Sequence, residues 1–156
     1  MKQSHHLDAI DRKILEILQR EGDISHAALA ERVGASSASC WRRIKALEGA
    51  GVLGPVVRLV RPEGVGRGVD VICHARMKSH DLDRRREFET FVQQHPEIVE
   101  CFSMSGEWDY LLRVVVGDVT DYEHFLMREL LAHPSVATAS SHFALSRVKH
   151  TTALPV

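Results

Sequence analysis

The sequence predicts a two-part α+β protein, on the basis of three observations. Helical periodicity dominates roughly the first 50 residues, whereas alternation typical of strands dominates the second part of the chain. Residues 61–68 contain three glycines and one proline, the composition of a connector. The second part also repeats a strand–helix–strand unit. We therefore expect one domain at residues 1–62 and another at residues 63–156.

Three helices are expected in the first domain. Apolar residues recur at helical spacing between residues 7 and 18. Ser25 can cap a second helix that ends at Gly34, and Ser36 can cap a third helix soon afterwards. Two helices joined by a tight turn that contains glycine, after a longer helix, are typical of a helix-turn-helix. An extended segment, Val52–Val60, is expected to follow as a linker strand.

The third helix carries the pattern that points to a ligand. Cys40, Ile44 and Leu47 fall at i, i+4 and i+7, which predicts a narrow buried stripe and leaves hydroxyls and cations outside. Small residues allow close approach to base edges, and cations reach phosphates and guanine acceptors. The alternative is a plain three-helix bundle with a solvated basic face. The pattern alone leaves both interpretations open, and the DNA-facing surface consists, in the first of them, of Ser37, Ser39, Trp41, Arg42, Arg43 and Lys45.

The formal charge of −1 conceals an asymmetry between the two parts. Residues 1–62 hold ten Lys and Arg against seven Asp and Glu, whereas residues 63–156 hold ten against fourteen. A basic part joined to an acidic part is expected when only the first binds a polyanion. The sequence opens with polar residues rather than an apolar signal segment, and it holds three cysteines without CxxC spacing. We expect a soluble, cytoplasmic protein with reduced thiols and no membrane partner.

The second domain is predicted to have a ferredoxin-like βαββαβ fold. Residues 95–99 read His-Pro-Glu-Ile-Val and residues 133–137 read His-Pro-Ser-Val-Ala, each after an amphipathic helix. Each helix also lies between two strand candidates, and two such units form this fold. The four strand candidates are Val69–Met77, Ile98–Met104, Tyr110–Val116 and Val136–Val148.

The other face of this sheet is expected to need a partner. Two helices cover one face of a four-stranded sheet, yet residues 111–116 are nearly all apolar, which implies that both faces of that strand are buried. A second copy of the domain is the simplest cover, so the sequence predicts a homodimer.

Residues 105–110, Ser-Gly-Glu-Trp-Asp-Tyr, join the second and third strands. One interpretation is a hairpin turn in which Gly106 supplies a positive φ. The other is a small-ligand cleft, in which backbone N–H groups hold a carboxylate while Glu107 or Asp109 pairs with an ammonium group. Spacing alone leaves both interpretations open.

With these residues laid out, the chain resembles the leucine-responsive and asparagine-regulator (Lrp/AsnC) family of transcription factors. Six motifs in order carry the resemblance along nearly the whole sequence: Leu7-Asp8-x-x-Asp11-x-x-Ile14-Leu15, Leu29-Ala30-x-x-Val33-Gly34, Ser36-x-x-x-Cys40-x-Arg42-Arg43-Ile44-x-x-Leu47-Glu48, Gly51-Val52-Leu53, Ser105-Gly106-Glu107-Trp108-Asp109-Tyr110-Leu111-Leu112 and Val148-Lys149-x-Thr151-Thr152-x-Leu154-Pro155.

The resemblance implies an N-terminal winged helix-turn-helix and a C-terminal domain that senses amino-acid metabolism. It also implies dimers that pair through the C-terminal sheets and assemble into tetramers or octamers. The family's effector site maps onto the turn and the strand facing it, at Gly106, Glu107, Asp109, Tyr110, Ser140, Ser141 and His142.

The expected function is therefore a sequence-specific transcriptional regulator of double-stranded DNA whose DNA affinity or oligomeric state is modulated by an amino acid or a related small molecule. The alternative is a small-molecule-binding α+β domain, or an enzyme, with an incidental basic N-terminal extension. No HExxH, GxSxG or P-loop motif occurs in the sequence. We expect no catalytic residues, no metal site and no cofactor.

Overall fold

The computed structural model describes residues 6–156, so the polar opening at residues 1–5 lies outside the described residues. The chain forms two compact units. The first takes in the chain up to Leu59 together with Lys149–Val156, and the second is Val60–Val148. The first division lies close to the expected boundary between residues 62 and 63. The expectation had placed residues 149–156 in the second domain, whereas the structure groups them with the first unit.

The first unit contains three helices, α1 (Ala9–Leu18), α2 (His26–Val33) and α3 (Ser37–Gly49). Side-chain oxygens cap all three N-termini, because the residue directly before each helix is Asp8, Ser25 or Ser36. Ile14, Leu29, Leu47 and other buried apolar residues of the three helices form one core.

The expected strand at Val52–Val60 is not found, since no strand is assigned before Val69 in the part of the chain that the structure describes. Pro55 lacks a backbone N–H and so cannot donate to a sheet ladder at that point. The side chains of Val56, Val57, Leu59 and Val60 are 66–74% exposed.

The second unit has the predicted βαββαβ order. Its elements are a short 3₁₀ turn (Pro62–Val65), β1 (Val69–Met77), α4 (Leu82–Gln94), β2 (Ile98–Ser103), β3 (Tyr110–Val116), α5 (Val119–His124), a π-helical turn that continues α5 (Phe125–Leu130), and β4 (Val136–Phe143). The sheet is antiparallel, with strand order β2-β3-β1-β4. The observed β4 ends five residues earlier than the sequence pattern suggested.

Alternation along β1 separates the two faces of the sheet. Val71, Cys73 and Ala75 are fully buried and belong to the core that the two helices cover. The residues between them are partly exposed on the opposite face, which we call the open face.

The two His-Pro repeats meet beside the helix-covered core. The ring centroids of His95 and His133 lie 4.0 Å and 4.9 Å from that of Phe91. The repeat therefore marks two equivalent helix ends that share one aromatic cluster. Among residues 6–156, no helix is both long enough and apolar enough to cross a bilayer.

Candidate functional site

The turn before α3 fixes how that helix is presented. Gly34 ends α2 in the left-handed region with φ 71°, a conformation that glycine adopts without a steric penalty. Two residues later, the Ser36 side chain accepts a hydrogen bond from the Ser39 backbone N–H at 3.2 Å. Cys40, Ile44 and Leu47 are buried as predicted, so the opposite side of α3 faces outward.

The outward side of α3 carries most of the residues expected to face DNA. Ser37, Trp41, Arg42 and Lys45 are exposed, and Trp41 is 52% exposed. Lys45 Nζ lies 2.8 Å from Glu48 Oε2, but this pair is on the surface and Lys45 can exchange it for another anion. Ser39 is half-buried. This surface combines hydroxyls, an indole and cations.

Arg43 lies elsewhere, in a cluster of charges at the start of α1. Its Nη1 atom lies 2.7 Å from Asp8 Oδ2 and 2.7 Å from Asp11 Oδ1, and its side chain is 23% exposed. Hydrogen bonds to Asp11 and Asp8 raise the pKa of Arg43. The guanidinium therefore joins α3 to α1 and is not free on the outward side of the helix.

The turn between β2 and β3 is tied firmly to β1. Gly106 has φ 110°, which explains a glycine there. Asp109 Oδ2 accepts a hydrogen bond from the Met77 backbone N–H at 2.7 Å. Arg76 donates from Nη2 to Glu107 Oε1 at 2.7 Å and from Nε to the Glu107 carbonyl at 3.1 Å. Both carboxylates of the turn thus have protein partners.

Two of the expected effector residues lie on the helix-covered face. Tyr110 is buried, and its hydroxyl donates to Glu89 Oε1 at 3.2 Å. The Ser141 hydroxyl lies 2.5 Å from that of Tyr122. Tyr110 and Ser141 therefore lie on the helix-covered face of the sheet. Because side chains alternate along a strand, Ser140 and His142 lie on the open face.

Side chains that the sequence analysis did not select connect the turn to β4. The ring of His74 has its centroid 5.8 Å from that of Trp108 and 5.7 Å from that of His142. The Arg76 guanidinium lies 5.1 Å from the Trp108 ring centroid. The Nδ1 atom of His74 is buried and has no hydrogen-bond partner among the described residues. We call these four residues the open-face cluster.

The alternation along β1 could have indicated two of these residues, because it places His74 and Arg76 on the face opposite the core. Their proximity to Trp108 and His142 depends on the register of three strands. In that register, His74 pairs with Leu111 of β3 and with Ser140 of β4. Residue spacing alone does not give this information.

A network of charges occupies another part of the second unit. Arg113 Nε lies 2.7 Å from Asp70 Oδ1, and Arg113 Nη1 lies 3.3 Å from Glu100 Oε1; Arg147 also pairs with Asp70. Burial raises the pKa of Asp70, but the hydrogen bonds from the two arginines outweigh it and hold that pKa below its usual value. Within residues 6–156, no group of three or more His, Cys, Asp or Glu is arranged to hold a metal ion.

Comparison with known proteins matches both parts of the chain. Residues 7–53 match the winged helix-turn-helix DNA-binding family, and residues 70–154 match the Lrp/AsnC ligand binding domain. The DNA-binding transcriptional activator DecR of Escherichia coli is 38% identical over 150 residues, which cover 96% of this chain and 99% of that protein. The leucine-responsive regulatory protein of the same species is 34% identical, with coverage of 96% and 92%.

Solved structures agree with these matches. A transcriptional regulator from Neisseria meningitidis, crystallised with L-methionine, has a TM-score of 0.92 and 39% identity, with coverage of 96% of this chain and 97% of that one. An AsnC family transcriptional regulator from Agrobacterium tumefaciens has a TM-score of 0.90 and 42% identity, with the same coverage.

Proposed function

The chain belongs to the Lrp/AsnC family of DNA-binding transcriptional regulators with an amino-acid-sensing domain, and from this premise we propose which of its residues read DNA and which bind the effector. It is a regulator and not an enzyme. Its DNA partner and its three free cysteines support a place in the cytoplasm.

Double-stranded DNA is read by the outward side of α3. The observation that carries this proposal is the exposure of Ser37, Trp41, Arg42 and Lys45 on the side of the helix opposite its buried stripe, with the half-buried Ser39 beside them. Arg43 acts differently, because its ion pairs to Asp8 and Asp11 set the position of the helix.

The test compares Arg42→Ala with Arg86→Ala, a change of an exposed arginine on α4. A duplex is first selected from a random library with the unchanged protein, and affinity is then measured by fluorescence anisotropy at several salt concentrations. Arg42→Ala is expected to weaken binding, and to reduce the slope of log affinity against log salt by about one if it loses a phosphate contact. Arg86→Ala is expected to leave both unchanged. An equal loss in the two variants would contradict the assignment to α3.

The effector is an amino acid or a related small molecule, bound where the β2–β3 turn meets β4. The L-methionine complex of the Neisseria relative supports this ligand class. Gly106, Glu107 and Asp109 supply the turn, and Ser140 and His142 supply the strand, while Tyr110 and Ser141 hold the site from the covered face. The open-face cluster joins the two sides.

Thermal unfolding in the presence of each of the twenty amino acids tests the effector proposal, beginning with L-methionine. A ligand that binds the native state raises the unfolding temperature as its concentration rises. Glu107→Gln is expected to reduce that rise, whereas Glu123→Gln, a matched change on the exposed surface of α5, is expected to preserve it. Equal responses in both variants would place the effector elsewhere.

The protein forms a homodimer that assembles further into tetramers or octamers. The open face supports this, because Phe102 is 53% exposed there and pairs in register with the partly exposed Leu111. A sheet whose uncovered face carries exposed apolar side chains such as Phe102 is stabilised by a second layer over them. The exposed apolar side chains of residues 56–60 add to the surface available to a second copy.

Sedimentation equilibrium of Phe102→Asp tests the use of the open face. A buried charge at the interface is expected to shift the population toward monomer. Val119→Asp alters a side chain that is 61% exposed at the start of α5 and serves as the control, which is expected to retain at least the dimer. A Phe102→Asp protein that sediments as the unchanged assembly would contradict this interface.

A further inference from the structure

Residues 149–156, which follow the last strand of the βαββαβ part in the sequence, lie in the same compact unit as the three helices. Two hydrogen bonds fix their register on the end of α1. Gln19 Nε2 donates to the Leu154 carbonyl at 3.0 Å, and the Leu154 backbone N–H donates to Gln19 Oε1 at 2.6 Å. One side-chain amide therefore uses both its donor and its acceptor on a single residue 135 positions away.

An apolar contact accompanies this polar clamp. Val156 is partly buried and packs against the core of α1–α3. The Ala153 backbone N–H also donates to Thr151 Oγ1 at 3.1 Å, which gives the segment a local turn before the clamp. The segment is thus held by its own turn, by a paired amide and by an apolar contact with the helical core.

Gln19 is the residue that caps the C-terminus of α1. The other end of the same helix is held to α3 by the ion pairs from Arg43 to Asp8 and Asp11. A chain of described contacts therefore runs from residues 149–156, through α1, to the helix that we assign to DNA.

We propose that residues 149–156 form a strap that fixes α1 within the DNA-binding unit and thereby positions α3, so that DNA affinity depends on a segment that follows β4 in the sequence. The inference rests on the proposed DNA-reading role of α3. Five residues separate the strap from the end of β4, the strand that carries Ser140 and His142. The strap is thus a second connection along the chain between the effector site and the DNA-reading surface, in addition to the linker near residue 60.

Hydrogen exchange of the full-length protein tests the strap without reference to DNA. Gln19→Ala removes the amide clamp, a chain that ends at Val148 removes the whole strap, and Gln94→Ala makes the same change at the last residue of α4. In the first two proteins, the amides of α1 are expected to exchange roughly tenfold faster, since paired hydrogen bonds contribute about that factor to local opening. In those two proteins the amides of α4 serve as the internal reference and are expected to keep their rates, whereas Gln94→Ala is expected to leave the rates of the α1 amides unchanged.

Unchanged exchange in α1 for both Gln19→Ala and the shortened chain would overturn the strap. If the shortened chain does not fold, Gln19→Ala still decides the question. Affinity for the selected duplex is measured on the same proteins, with a roughly threefold or greater loss expected for Gln19→Ala. Faster exchange with unchanged affinity would overturn the link to DNA, and failure of the unchanged protein to bind any duplex would instead refute the proposed reading surface.

Discussion

Arg43 illustrates how one side chain can complete a helix cap that is built from two carboxylates. Asp8 uses Oδ1 to accept the backbone N–H groups of Ile10 and Asp11 at 2.9 Å and 2.8 Å, and Asp11 uses Oδ2 to accept that of Asp8 at 3.2 Å. The remaining oxygen of each carboxylate meets Arg43. Two carboxylates close together would otherwise repel each other, so the guanidinium compensates for their charge.

Arg43→Ala is expected to lower the unfolding temperature of the first unit by a few degrees, because it leaves Asp8 and Asp11 without their shared cation. Arg42→Ala is expected to leave that temperature unchanged while it weakens DNA binding. Circular dichroism at 222 nm checks the unfolding temperature. If Arg43→Ala unfolds with the unchanged protein and loses DNA affinity as Arg42→Ala does, then Arg43 is a DNA contact as the sequence pattern suggested.

His133 gives the second unit a dependence on pH. Its Nδ1 atom accepts a hydrogen bond from the Ser135 backbone N–H at 3.2 Å, so the folded state favours the neutral ring at that atom. Its ring centroid lies 5.6 Å from that of Phe88, and burial lowers the pKa of His133 below 6.5. A folded-state pKa below the unfolded value means that this contribution to stability is present above about pH 6.5 and is lost as pH falls through the lowered pKa.

His133→Asn is expected to reduce the loss of stability between pH 7 and pH 5, because an amide oxygen can accept from Ser135 without binding a proton in this range. Urea unfolding at each pH provides the free energy of unfolding for both proteins. His80→Asn, at an exposed position, is the control and is expected to follow the unchanged protein more closely. Parallel curves for His133→Asn and the unchanged protein would refute this role.

At the scale of elements, a partly buried polar contact joins β4 to α5. Burial raises the pKa of Tyr122, so its hydroxyl stays protonated and can donate to Ser141. Ser141 also donates to Cys73 Sγ at 3.8 Å, on the neighbouring β1. This contact keeps Ser141 on the covered face and consequently directs Ser140 and His142 toward the open face.

Tyr122→Phe is expected to cost about 1–2 kcal/mol of unfolding free energy, because it leaves the Ser141 hydroxyl without its main partner. Tyr110→Phe removes a hydroxyl that faces the exposed Glu89, and we expect it to cost less. The double variant Tyr122→Phe with Ser141→Ala is expected to lose less unfolding free energy than the sum of the losses of the two single variants, since both hydrogen-bond partners are then absent. Strict additivity in chemical denaturation would show that the hydroxyls are not coupled.

Local patterns predicted most of these elements. The caps at Ser25 and Ser36, the stripe on α3 and the alternation of β1 are near-neighbour features, and the structure confirms them. The partners of Arg43 and of Gln19 lie far away in the sequence and depend on packing, so spacing did not indicate them. The π-helical turn at Phe125–Leu130 likewise interrupts a stretch whose apolar pattern fits an ordinary helix.

At the scale of the whole molecule, the two charge balances predict that DNA binding and effector binding differ in their dependence on salt. Residues 1–62 carry a surplus of cations, and residues 63–156 a surplus of anions. DNA affinity is expected to fall steeply with rising potassium chloride, with a log–log slope of about −0.9 for each phosphate contacted. The affinity for the amino acid that most raises the unfolding temperature, measured by calorimetry on the same preparation, is expected to change little. If log affinity falls with log salt at the same slope for both ligands, then the basic part does not contact DNA phosphates.

The course of the chain between its two units bears on how such sensors can be recombined. The polypeptide leaves the helical unit after Leu59 and returns to it at Lys149, so the βαββαβ part is topologically an insertion. A chimera joined at a single point near residue 60 would carry a foreign tail, or none, against Gln19. Transfer of Val60–Val148 to another DNA-binding domain therefore requires two junctions, and the segment equivalent to residues 149–156 should come from the protein that supplies that DNA-binding domain.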